Sequence, residues 1–116
     1  FKKIIKNKNN IKKGSNYYVS LDGGAKVNHQ RPAVDVTFKS LAQTVKHNTV
    51  GVLLTGMGSD GAQGLKEIKE NRGYTIAESE KSATIFGMPK KAIDIGAVNK
   101  ILPLKKIPKQ IISKVK

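Results

Sequence analysis

VGVLLTGMGSDGAQGL, residues 50–65, decides how this chain is read. Val50 to Thr55 is a short run, apolar on both faces, which suits a central parallel strand covered by helices on each side. Gly56, Gly58 and Gly61 follow at G-x-G-x-x-G spacing. Ala62 to Arg72 then reads as a helix, with Leu65 and Ile68 inward and Lys66, Lys69 and Glu70 outward. Gly73 is placed to cap that helix, and Tyr74 to Ala77 is the next strand. Strand, glycine turn, helix and strand over residues 50–77 make a unit of βαβ size.

The same reading extends in both directions. Pro32 opens PAVDVTFKSLAQTVKH, where Val34, Phe38, Leu41 and Val45 form one helical stripe. Residues 1–28 have the composition of a β ribbon: FKKIIK, a polar turn NKNN, then IKK and NYYVSL, with a further turn at Asp22-Gly23-Gly24. On the far side, residues 78–88 form an irregular polar link ending in IFGM. Pro89 starts a short helix closed by Gly96, and a strand runs from Val98 to Leu102. The tail places Leu104, Ile107, Ile111 and Val115 on one face, in a helix expected to begin after Pro108. Alternating strands and helices predict an α/β fold with a mostly parallel sheet in the second half.

The chain has 116 residues, enough for one small core, and no Cys. No apolar run approaches the roughly 20 residues of a membrane-spanning helix, so no membrane insertion is expected. It opens on Phe1 rather than Met, with no apolar leader, and is read as a piece of a longer protein. The formal charge is +14, yet of 22 basic residues only Arg31 and Arg72 are Arg. Nucleic-acid readers lean on arginine for bidentate contacts, so no nucleic-acid partner is expected. Residues 1–26 carry seven Lys against Asp22, and residues 100–116 carry six Lys and no acid. That excess is either solvated surface or a guide towards an acidic protein partner.

The glycine turn admits three readings. The first is a dinucleotide loop, with Glu78 or Glu80 in place of a ribose-binding acid. Against it, Asp60 would compete with a pyrophosphate for the N–H groups at the helix start. The second is an N-cap, with Asp60 accepting from the helix it precedes. In the third, Asp60 is a catalytic acid whose negative charge is steadied there, as the aspartate of a Ser-His-Asp triad requires.

GVLLTGMGSDGAQGL, followed by TIAESEKSATIFGMPKKAIDIGAVNKILPL, resembles the catalytic domain of the chemotaxis protein-glutamate methylesterases, the CheB family. The family words are T-G-M-G-x-D-G-A-x-G-L, T-I-A-Q-x-E, F-G-M-P-x-x-A and G-A-V-x-x-V-L-P-L. RPAVDVTFKSLA is similar to a fifth, R-P-S-V-D-x-L-F. The likeness is strong over residues 27–107 and weak over the ribbon. It implies a three-layer α/β sandwich, of which residues 1–116 would be the C-terminal part: a ribbon over 1–28 and the α/β part over 29–116. It implies a cytoplasmic hydrolase that demethylates, and in part deamidates, glutamyl side chains of chemoreceptor coiled coils with no cofactor or metal. Asp60 matches the triad aspartate. Met57, between Gly56 and Gly58, matches the residue whose N–H helps bind the oxyanion. Arg31 and Met88 are expected to line the substrate cleft.

The departure from the family is the absence of its Ser-x-Gly-Gly and Gln-His-Met-Pro words, which carry the nucleophile and the histidine. His29 precedes R-P-A-V-D, and His47 closes a helix where a cation suits the dipole. Ser59 adjoins Asp60 and cannot reach a histidine between them. Ser79 and Ser82 fall in the polar link and are expected to be solvated, and Arg31 and Asp35 to pair across one helical turn. The chain alone is therefore expected to be inactive, with partners in the missing half of the domain and in acidic receptor helices. The competing reading is a basic, non-catalytic module that docks on those helices.

Overall fold

The apolar runs after residue 49 meet in one parallel sheet. The computed structural model describes residues 7–13, 16–22 and 34–115. The chain runs β1 (Asn7–Lys13), β2 (Asn16–Asp22), α1 (Val34–Thr44), β3 (Val50–Leu53), α2 (Ala62–Glu70), β4 (Tyr74–Glu78), α3 (Gly87–Asp94), β5 (Lys100–Leu102) and α4 (Ile107–Val115). Short 3-10 turns at Lys46–Asn48 and Leu104–Lys106 precede β3 and α4.

β3, β4 and β5 lie in that order, all parallel, with Val50 opposite Tyr74 and Ile76 opposite Lys100. Successive side chains on a strand point to opposite faces. One face carries Gly51, Leu53 and Thr75. A Cβ on Gly51 would lie 2.7 Å from a Leu65 methyl, so α2 can rest directly on the strand only because residue 51 has no side chain. Leu65, Ile68, Ala92 and Ala97 close this half of the core, and Val34 and Phe38 of α1 pack against it from outside. The other face carries Tyr74 and Ile76 and is covered by α4. There the Gln110 amide donates to the Tyr74 hydroxyl at 2.9 Å, and the Lys114 ammonium sits 4.4 Å from the Tyr74 ring centre. The expected α/β architecture with helices on both faces of a parallel sheet is present.

Several boundaries differ from the sequence expectation. Asn7 to Asn10, expected as a turn, are strand residues paired with Val19 to Asp22; cross-strand pairing overrides the weak strand preference of Asn. α4 starts at Ile107, one residue before Pro108. A proline in the first turn removes only an N–H that has no partner inside the helix. Pro89 likewise sits inside the first turn of α3, which begins at Gly87. α2 ends in a Schellman arrangement: Gly73 N–H donates to Ile68 and Arg72 N–H to Lys69. The left-handed residue is Arg72, at φ 72°, not Gly73. Gly73 is required for room, since a Cβ there would lie 2.6 Å from Ile68 and 3.0 Å from the Thr49 carbonyl. Gly96 closes α3 in the expected way, at φ 77°.

Candidate active site

Asp60 stands after β3 and immediately before Gly61, the left-handed residue that opens α2. It does not cap α2. Its Oδ2 accepts from the Val34 N–H at 2.7 Å and its Oδ1 from the Asp35 N–H at 3.1 Å, so the carboxylate sits on the first turn of α1. The return contact comes from Asp35, whose Oδ1 accepts from the Gly64 N–H in the first turn of α2 at 2.8 Å. Each helix start is thus served by a carboxylate from the other. Unpaired N–H groups and the positive end of the dipole favour an anion at both places. The exchange needs the two helices close together. A Cβ on Gly64 would fall 2.5 Å from that of Phe38, so the glycine permits the approach. Asp60 is only 4% exposed.

The turn between β3 and Asp60 is held by a second loop. Gly56 N–H donates to the Ile85 carbonyl and Met88 N–H to the Gly56 carbonyl, both at 2.9 Å. The Thr55 hydroxyl adds a third tie, accepting from Ile85 N–H and donating to its carbonyl. The chains cross so closely that a Cβ on Gly56 would strike the Met88 sulfur at 2.5 Å. One on Gly87 would come within 3.0 Å of the Gly56 carbonyl. Met57 projects from the crossing with 76% of its surface exposed. Among the described residues no acceptor takes the Met57 N–H. Gly58 follows at φ 88° with no atom within 4 Å of a Cβ position.

The link after β4 is mostly exposed, but its two serines are held differently. Ser82 donates to Glu78 and accepts from the Leu104 N–H, while the Ser79 hydroxyl oxygen is buried with no hydrogen-bond partner among the described residues. The expectation of solvated serines holds for Ser82, which is exposed although hydrogen-bonded, and is corrected for Ser79, whose hydroxyl oxygen is buried. Glu80 stays exposed and Glu78 is buried, so the two do not act as a pair. Among the described residues no group of three or more His, Cys, Asp or Glu is placed to hold a metal ion. No described helix is long and apolar enough to cross a membrane.

All these loops follow the carboxyl ends of β3, β4 and β5, where open parallel sheets hold their ligands. The family model described as CheB methylesterase matches residues 3–111. The chain belongs to the CheB methylesterase family. A protein-glutamate methylesterase/protein-glutamine glutaminase of Thiobacillus denitrificans is 48% identical over 102 residues, which are 88% of this chain and 29% of that protein. One of Syntrophus aciditrophicus is 54% identical over 99 residues, covering 85% of this chain and 29% of its own. The crystal structure of the Thermotoga maritima CheB methylesterase catalytic domain superposes with a TM-score of 0.89 at 37% identity, over 93% of this chain and 57% of that one. The chain thus spans under a third of the length of these curated CheB relatives.

Within this CheB-type chain, Gly56, Met57, Gly58, Asp60 and Met88 fall in one neighbourhood. Arg31 and His29 lie outside the described residues, as does the 1–6 stretch of the expected ribbon. His47 is exposed in the 3-10 turn before β3, at the amino end of the sheet and away from this neighbourhood. Sequence reasoning missed the contact of Asp35 with α2, having assigned its carboxylate only a local partner. It considered Glu78 only as a possible ribose-binding acid and missed its bonds to Thr55 and Ser82.

Proposed function

We propose that this chain is the C-terminal part of a protein-glutamate methylesterase/glutaminase that acts on chemoreceptors. It would supply Asp60 and the Met57 turn to a Ser-His-Asp site completed by a segment carrying the serine and the histidine. The carrying observation is the fixed carboxylate at the start of α1, beside a glycine-flanked turn with an accessible N–H, at the carboxyl end of a parallel sheet. In this reading Asp60 orients the imidazole and stabilises the imidazolium that forms as it takes the serine proton. The serine oxygen attacks the glutamyl methyl ester, and the Met57 N–H stabilises the developing oxyanion. Methanol leaves with the proton returned by the histidine. Water then releases the glutamate by the same route, and a glutamine substrate gives ammonia instead. The Lys-rich ends of the chain favour encounter with acidic receptor helices.

Methanol release from methylated receptor tests the proposal. The chain alone releases none; mixed with a segment bearing the Ser-x-Gly-Gly and Gln-His-Met-Pro words, it does. Asp60→Ala then lowers the restored rate by about 10⁴-fold, the loss expected of a triad member. Hydrolysis by the chain alone would overturn the assignment of a missing nucleophile. Salt-sensitive receptor binding with no restored hydrolysis would favour the non-catalytic docking module, the reading the +14 charge supports.

A further inference from the structure

Glu78 is the most deeply buried acid among the described residues, at 1% exposure, and the chemistry above does not use it. It ends β4, with its backbone paired to Leu102 of β5. Its Oε1 accepts from the Thr55 N–H at 2.8 Å, and its Oε2 from the Ser82 hydroxyl at 2.7 Å. Ser82 in turn accepts from the Leu104 N–H at 3.0 Å. One side chain therefore ties together the loops that follow all three strands of the sheet. Thr55 is two residues from Met57, and its hydroxyl is fastened to Ile85 on the loop that crosses under Gly56.

We infer that Glu78 is a positioning residue for the reaction, holding the backbone of residues 55–58 so that the Met57 N–H faces the developing oxyanion. The inference rests on the proposed function and extends it to a residue that touches no substrate. A hydrogen bond to a buried carboxylate is short and strong, and losing it leaves a backbone donor unsatisfied. The turn between β3 and Asp60 has no regular ladder of its own. Its position depends on the Thr55 N–H bond and the three contacts to Ile85 and Met88. Oxyanion stabilisation needs its donor at hydrogen-bond distance from where the charge develops, so a small displacement weakens the transition state more than substrate binding.

The test uses Glu78→Gln, Glu78→Ala and Ser82→Ala in the chain assembled with the serine- and histidine-bearing segment, together with amide NMR spectra of the chain itself. Glutamine retains an oxygen for Thr55 and a polar group for Ser82, so Glu78→Gln keeps kcat within about threefold. Glu78→Ala lowers kcat by about tenfold or more with KM within about twofold, a fraction of the roughly 10²–10³ lost with a whole oxyanion donor. Ser82→Ala, at an exposed position, gives a smaller kcat loss in the same direction and remains informative if Glu78→Ala fails to fold. The Met57 amide signal moves in both alanine variants and stays in Glu78→Gln. An unchanged kcat in Glu78→Ala, a rise in KM alone, or Gln as damaging as Ala would each overturn the inference. Silence of the parent assembly would instead overturn the proposed function. A Met57 amide unmoved by both alanine changes would then still refute the role of Glu78.

Discussion

The structural role of Asp60 can be separated from the catalytic one proposed for it. Its carboxylate stabilises the start of α1 whether or not an imidazole is present, because Val34 and Asp35 donate to it within this chain. Asp60→Ala therefore destabilises the chain alone by about 2 kcal/mol, the upper range for losing a helix cap. Asp60→Asn costs about half as much, since one acceptor oxygen remains while the amide nitrogen faces a donor. Urea unfolding of the three proteins checks both values. A neutral Asp60→Ala would show that the α1 contact contributes nothing. Sequence reasoning singled out this residue but assigned its carboxylate to the wrong helix. Spacing shows which helix follows an aspartate; it does not show which helix packs alongside.

At the scale of elements, the ends of helices carry the tension between local preference and packing. Arg72 takes the left-handed conformation at the end of α2 because Gly73, beside it, is needed where Ile68 and Thr49 crowd the backbone. The glycine signal was legible, but its position relative to the cap was off by one residue. Left-handed geometry costs a non-glycine residue roughly 1–2 kcal/mol, and glycine gives back about 0.5–1 of that through the freedom of the unfolded chain. Arg72→Gly is thus expected to stabilise the fold by about 0.5–1 kcal/mol, read as a higher midpoint in urea at unchanged slope. A lower midpoint would mean that the arginine side chain supports the helix end by more than the backbone relief is worth. The two proline-containing helices were legible as elements and misplaced at their starts. First-turn prolines remove only unpartnered N–H groups, so they mark a neighbourhood rather than a boundary.

At the scale of the molecule, β3 is an edge of the described sheet, paired on one side to β4. Leu54, Ile85, Ile101, Leu104, Ile112 and Val115 are each more than two-fifths exposed. An open strand edge with uncovered apolar side chains favours association. Sedimentation of the chain alone should show concentration-dependent self-association, replaced by a defined 1:1 species when the serine- and histidine-bearing segment is added. A chain that stays monomeric and ignores that segment would argue against the completed domain.

What the amino-acid order determined by itself was the βαβ grammar, the inward faces of α2, and the family, because apolar periodicity, glycine punctuation and matched words are local properties. Tertiary structure alone decided that Asp60 serves α1 and Asp35 serves α2, that the Ser82 hydroxyl bonds to Glu78, and that Glu78 joins three loops. Each of those contacts links residues distant along the chain. A carboxylate bonds to whichever N–H the packing brings within reach, and no spacing rule encodes that distance.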